Sequence, residues 1–384
     1  MQTQEDSVVD KCAFCLDPLT EANDSDEHII PNSIGGWMTV NRFICRECNN
    51  RKGRTWDAVL SKQFAWMSSM TGISRDRGSV PSVVVSTIGG KDYKLHNDGT
   101  MTPARFQYSQ VPDGDKTKIS FIARDMGEVR KKVSELKQRY PNLDDQAALS
   151  SAKMSTSYLE EPIKVDLAPG GPEAGRSIVT TALAYAFKLG ISPHECEVVL
   201  PFLRQPELLT TSYGWSSLID VVKGRKPGQI FHCVSISGDP KTSRLLAYVE
   251  YFSFARWHIE LSRQYDGPAI ASTYAIVPDE AREIEITVDW NLEISLVDRI
   301  LYGDGYDSER TEKAVGQVMD ALMKRSWDRS FNLAYQAACK EAMLDMGLSE
   351  NDSISGTLYP IFEKKVVEAM APFIMHHRSQ RQSA

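Results

Sequence analysis

The sequence predicts an α+β protein in which a small N-terminal metal-stapled module precedes a larger α+β region. Three observations predict it. Two Cys-x2-Cys pairs fall within the first 50 residues, short apolar runs alternate between turn signals in the middle, and the last 75 residues carry helical apolar spacing. At 384 residues the chain has room for two or three domains. Its 42% hydrophobic and 25% charged residues are a globular composition, which excludes wholesale disorder. No run of 18 apolar residues exists, so no membrane span is expected. The polar, acidic start Met1–Asp6 does not fit a secretory leader, and a cytoplasmic protein is expected.

Residues 1–75 are the most distinctive segment. Cys12-Ala13-Phe14-Cys15 is followed by an acidic, turn-rich stretch, then Glu27-His28-Ile29-Ile30-Pro31, Gly35-Gly36 and Cys45-Arg46-Glu47-Cys48. The spacing of Trp56, Val59, Leu60, Phe64 and Met67 is helical. The segment therefore reads as a hairpin whose ends carry the cysteines, followed by a helix. Two pairs separated by 29 residues have the ligand spacing of a four-thiolate zinc site, each tight turn supplying two sulfurs. A closed Cys12–Cys15–Cys45–Cys48 set leaves no open coordination position, so that zinc would be structural. Cys196, Cys233 and Cys339 stand alone and read as core residues.

Residues 76–150 form a second segment. Strand-like runs at 83–85, 93–95, 106–108 and 119–122 are separated by Gly89-Gly90, Asn97-Asp98-Gly99 and Pro112-Asp113-Gly114, and a helix is expected from Gly127 to Tyr140. Residues 141–156 read as a linker. The third segment, residues 151–384, opens with a helix near Ala174–Leu189. Strand-like stretches follow at Ile230–Ile236, Arg244–Phe254, Trp257–Leu261 and Ile284–Val288, and helices occupy the end, where Arg378–Ala384 reads as a frayed tail. The histidines outside the first segment are scattered without ligand spacing, and the aromatic-rich stretch Tyr248–Trp257 reads as core strand.

The first 75 residues resemble an HNH (ββα-metal) endonuclease. The resemblance rests on Cys12-x2-Cys15, Glu27-His28-Ile29-Ile30-Pro31, Gly35-Gly36, Asn41, Cys45-x2-Cys48-Asn49 and Lys52-Gly53, covering about one-seventh of the chain. It implies a β-hairpin followed by a helix and a divalent-metal-dependent phosphodiester hydrolase. His28 would be the general base, Glu27 and Asn49 the ligands of a catalytic Mg²⁺ or Mn²⁺, and Asn41 the residue that orients the histidine loop. Lys52, with Arg51 or Arg54, would contact phosphate. These residue types suit that chemistry: an imidazole titrates near neutrality, and hard cations prefer oxygen donors. Two positions depart from the common family pattern, with Glu27 where Asp is more frequent and Asn49 where His is frequent. Proteins of this make-up resemble bacterial restriction-type or anti-phage HNH nucleases.

Charge supports the same reading once it is summed locally. The formal total of −7, from 44 basic and 51 acidic residues, argues against a polyanion partner when taken globally. Residues 1–28 alone carry eight acidic residues and one lysine, whereas residues 42–54 carry five basic residues and one acid. The basic run Arg130, Lys131, Lys132, Lys137 and Arg139 is either a backbone-tracking face or a solvated helix face. The sequence thus points to DNA cleavage by the first segment, with the remaining ~300 residues selecting substrate, sensing an activating ligand or partner protein, or assembling a homodimer. The competing reading is a zinc-containing nucleic-acid-binding adaptor without catalysis.

Overall fold

The computed structural model describes residues 10–73, 75, 80–114, 116–153, 159, 161–165, 167–349 and 351–381. Most of the acidic leader and residues 154–156 of the expected linker lie outside them. The chain is α+β, but it divides differently from the three consecutive segments expected. One compact unit is Met1–Pro81 with Leu167–Arg325, and the other is Ser82–Asp166 with Ser326–Ala384. Residues 1–75 are thus not a unit by themselves. Among the described residues, no helix is long and apolar enough to cross a membrane.

The first unit starts with a two-residue hairpin, β1 (Glu27–His28) against β2 (Thr39–Val40). Three short helices follow: α1 (Arg46–Arg54), α2 (Trp56–Gln63) and α3 (Ala65–Thr71). The single helix expected here is broken because Thr55 and Phe64 leave helical geometry.

Downstream lies a six-stranded antiparallel sheet in the order Arg282–Glu283, Ile270–Val277, His232–Asp239, Arg244–Tyr251, Ala255–Ser262, Tyr213–Trp215. All eight residues of Ala255–Ser262 are buried, so both faces of the sheet are covered there. The strand Ile270–Val277 escaped the sequence reading, because its Ala-Ser-Thr run lacks apolar alternation. The aromatic-rich stretch is core, as expected: Tyr248, Tyr251, Phe252, Phe254 and Trp257 are all buried.

The helix Pro172–Lys188 lies on one face of this sheet, with Thr181 Oγ1 2.7 Å from Tyr251 OH and Tyr185 OH 2.8 Å from Ser272 Oγ. Proline at its first position starts it without losing a bond. Thirteen consecutive residues, Ala174–Ala186, are buried. Such all-round burial means that the helix has a second neighbour besides the sheet. That neighbour is the N-terminal module, through Phe43–Phe187 ring packing at 5.3 Å and a Ser177–Asp57 hydrogen bond.

The second unit has a four-stranded antiparallel sheet in the order Met101–Pro103, Asp92–Leu95, Val83–Thr87, Ile163–Lys164. A hairpin, Gln107–Asp113 with Lys116–Ile122, precedes the helix Met126–Arg139, which is capped by Asp125. The expected linker contains a further helix, Asp145–Ser151, capped by Asp144. On the basic run, Lys132 pairs with Glu135 at 3.0 Å and Lys137 with Asp145 at 3.4 Å, whereas Arg130, Lys131 and Arg139 are exposed. At the C-terminus, Ala338 and Ala342 of Ser308–Asp345 pack on Val366, Met370 and Phe373 of Leu358–Arg381. This last helix runs through His376-His377 to Arg381, so the first part of the expected frayed tail is helical, and residues 382–384 of that tail lie outside the described residues.

Two histidines in the sheet make stability depend on pH. Burial holds His232 down to about 3 and His258 down to about 4, against an ordinary 6.5. Their unfolded forms bind protons first, so stability is complete above pH 6.5 and is lost as pH falls toward those values. At pH 5 the loss is roughly 2 kcal/mol per histidine. Among the described residues, neither ring nitrogen of His258 has a hydrogen-bond partner, and the ring sits between Tyr248 and Trp290. His258→Phe is therefore expected to keep wild-type stability at pH 7 and to flatten the fall between pH 7 and pH 5. Denaturant midpoints measured at both pH values check this, and parallel profiles for the two proteins would contradict it.

Candidate active site and zinc centre

The four cysteines of the two pairs meet. Their sulfurs all lie within 4.8 Å of one another, with Cys15 and Cys45 Sγ 3.7 Å apart. A tetrahedral zinc with Zn–S bonds of about 2.3 Å needs sulfurs about 3.8 Å apart, so the cluster fits the ion. Local backbone builds it. Leu16 adopts a positive φ of 67° directly after Cys15, and its N–H donates to Cys12 O at 3.0 Å, closing the first turn. Cys45 N–H donates to Cys12 Sγ at 3.3 Å, and Arg51 reaches Cys48 Sγ at 3.6 Å. Hydrogen bonding from Cys48 holds the Cys12 thiol down to about 4, while burial pushes Cys15 up to about 12. Without a cation the sulfurs cannot all ionise together; a divalent ion is what makes four thiolates compatible.

Beyond the first turn, Phe14 packs on Phe43 and Trp56 at 6.2 and 5.6 Å, which joins the zinc end to α2. Strand β1 then sets the geometry of Glu27-His28. Consecutive residues on a strand point to opposite faces, so these two side chains diverge. Glu27 turns inward and is 1% exposed, while His28 is half-buried.

The inward face holds a buried charge chain. Lys52 Nζ lies 2.6 Å from Glu27 Oε1 and 2.6 Å from Asp57 Oδ2, and Ser177 Oγ donates to Asp57 Oδ1 at 2.5 Å. Burial would lower Lys52, but Asp57 and Glu27 outweigh it and hold the ammonium above its ordinary value. Burial raises Glu27 to about 7 against the opposing pull of Lys52. Two residues with roles expected from the sequence meet each other here. Glu27 and Lys52, read from sequence as metal ligand and phosphate contact, hold each other below the surface, and Lys52 is only 3% exposed. Asp57 and Ser177 carry no motif, and nothing in the sequence signals that they join the site.

Asn49 sits in the first turn of α1. Its Nδ2 donates to Asp26 O at 3.1 Å and to Ser25 Oγ at 3.3 Å, which ties the helix to the residues just before β1. With the amide nitrogen engaged, Oδ1 is the atom suited to a hard cation. Among the described residues, only the cysteine tetrad brings together three or more His, Cys, Asp or Glu ligand atoms. A catalytic cation here would therefore rely on Asn49, on water and on the substrate's own phosphate oxygens, a pattern that Mg²⁺ favours.

Asn41 lies exposed in the turn after β2, and among the described residues no hydrogen bond joins it to the histidine loop. That loop is braced otherwise. Asn32 Nδ2 donates to Gly36 O at 3.1 Å, and His232 Nε2 donates to Ile34 O at 2.8 Å. His232 Nδ1 accepts from Phe252 N–H at 2.9 Å, so the ring is neutral and fully satisfied. The two glycines of the loop are obligatory. Gly35 has a φ of +95°, and a Cβ on Gly36 would lie 1.7 Å from Ile30 O. Arg51 and Arg54 are exposed on α1, with Arg54 Nε donating to Asn50 O at 3.2 Å.

The protein is expected to purify with one zinc per chain, measurable by atomic emission. Cys48→Ser should lose the metal and lower the thermal midpoint, since binding energy at such a site is folding energy. Full stability of the metal-free variant would show that the cluster is packing alone.

Residues 12–65 match the family model described as HNH endonuclease. No curated protein and no solved structure matches the chain. The hairpin, the helix after it and the cysteine cluster all fall within the matched stretch, and the N-terminal segment of this chain is an HNH zinc module.

Proposed function

We propose that this chain is a metal-dependent endonuclease that hydrolyses phosphodiester bonds in DNA, in a restriction or anti-phage role. The observation that carries the reading is that Asn49 is tied to Asp26 O directly before β1, while His28 alternates on that strand with the buried Glu27 and so points to the opposite face. In this reading His28 takes the proton from the attacking water, and Asn49 Oδ1 offers an oxygen to a divalent cation. The cation, when bound, neutralises charge developing on the phosphate and leaving oxygen. Exposed Arg51 and Arg54 hold the flanking phosphates, a role that Lys52 cannot share while it is buried. Glu27 acts through Lys52 as a positioning residue. Each chain supplies one such centre, so cutting both strands needs a homodimer or two encounters.

Supercoiled plasmid cleavage with Mg²⁺ or Mn²⁺ tests the reading. His28→Ala is expected to lower the rate by about 10²–10⁴-fold without loss of zinc. Asn49→Ala should raise the Mg²⁺ concentration needed for half-maximal rate, whereas Glu27→Gln should leave that concentration unchanged. Equal cleavage by wild type and His28→Ala would remove the base assignment. Metal-independent DNA binding with no cleavage under any cation would favour the adaptor.

A further inference from the structure

The strand Ile270–Val277 has two unlike edges. One pairs along its length with His232–Asp239. The other is paired only at its C-terminal end, where Ile276 and Val277 face Glu283 and Arg282, and Ile284 N–H donates to Ala275 O at 3.0 Å. The returning segment then leaves the sheet, and Val288 pairs with Val222 instead. In an antiparallel strand, alternate residues present their N–H and C=O to the same edge. Ala275 faces outward, so Thr273 and Ala271 do too. Ser272 fits the alternation, since its carbonyl accepts from Ser235 Oγ on the inner side at 3.1 Å. Among the described residues, no strand pairs with this edge at Ala271 or Thr273.

The divergence opens a cleft of about 590 Å³ between the strand edge and residues 283–290. Its lining includes Thr273, Ile284, Ile286 and Trp290, with Glu283 and Glu285 and, among the described residues, no basic side chain. Proteins usually guard open edges with lysine, proline or a bulge. The stretch Ile-Ala-Ser-Thr-Tyr-Ala at 270–275 carries no charge and no proline. We propose that this edge is a docking site at which an extended basic peptide segment of a partner protein adds as one more strand.

The backbone of the segment bonds Ala271 and Thr273, which supplies affinity independent of side-chain identity. An apolar side chain on it meets Ile284, Ile286 and Trp290. Its lysines or arginines pair with Glu283 and Glu285, and the absence of a lining cation selects against an acidic segment. The same strand continues to Pro278, whose carbonyl oxygen lies 2.7 Å from where a Cβ on Gly35 would sit. The docking edge and the loop after His28 therefore share one strand. The proposal stands without the nuclease reading.

The test uses the full-length protein and two fluorescein-labelled octapeptides, one alternating Lys and Val and the other Glu and Val. Fluorescence anisotropy should show saturable binding of the Lys peptide and none of the Glu peptide. Thr273→Pro removes the outward N–H, together with the 2.8 Å Thr273 Oγ1–Ser235 Oγ bond, and should weaken binding at least roughly tenfold relative to Thr273→Ala, which loses that side-chain bond alone. The double charge reversal Glu283→Lys/Glu285→Lys should do the same, and hydrogen exchange should slow within 270–275 on peptide addition. Absence of binding, equal affinity for both peptides, or unchanged exchange within 270–275 would overturn the proposal. If Thr273→Pro does not fold, the charge reversal and the exchange data decide.

Discussion

The ammonium of Lys52, enclosed between Glu27 and Asp57, is the constraint on which the N-terminal module depends. Strand β1 has two residues and α1 has nine, and neither is long enough to hold its place alone. One buried cation joins β1 to α1 and α2, and Asp57 passes the connection to Ser177 on the helix Pro172–Lys188. Removing one partner of such a group strands the others below the surface, at a cost of about 3–5 kcal/mol. The zinc cluster fixes the two cysteine turns, and the charge chain fixes how the hairpin stands on the rest of the unit.

This arrangement explains much of the chain's length. The module reaches Phe187 and Ser177 of a helix whose Thr181 and Tyr185 bond the sheet. The sheet in turn supplies His232, which supports the loop after His28 through Ile34 O. The downstream residues of this unit are therefore a scaffold for the HNH module as well as any recognition surface. The strand with the open edge also abuts that loop, which gives a partner bound there a short physical route to the residues around His28.

Much of the site was legible from the residues. Cysteine spacing announced the tetrad, and the apolar spacing of Trp56, Val59, Leu60, Phe64 and Met67 announced helix there, though not its break at Phe64. The aromatic run at 248–257 was readable as core because its residue types suit a covered strand. What was not legible is geometric. Adjacent residues in a motif look like neighbours in space, yet the two-residue period of a strand sends Glu27 and His28 to opposite faces. Lys52 reads as surface charge in a basic run, and only the fold shows that two acids, 25 residues before it and five after, enclose it. Ser177 lies 120 residues from Asp57, and no local pattern can announce such a pair.

The central claim is that Glu27 anchors the histidine strand through Lys52 and does not ligate the catalytic cation. Anomalous scattering from crystals grown with duplex DNA and Mn²⁺ tests it most directly. The account predicts manganese at Asn49 Oδ1, on the His28 side of β1, with Glu27 still paired to Lys52. Manganese bound by the Glu27 carboxylate, with Lys52 displaced toward phosphate, would contradict it.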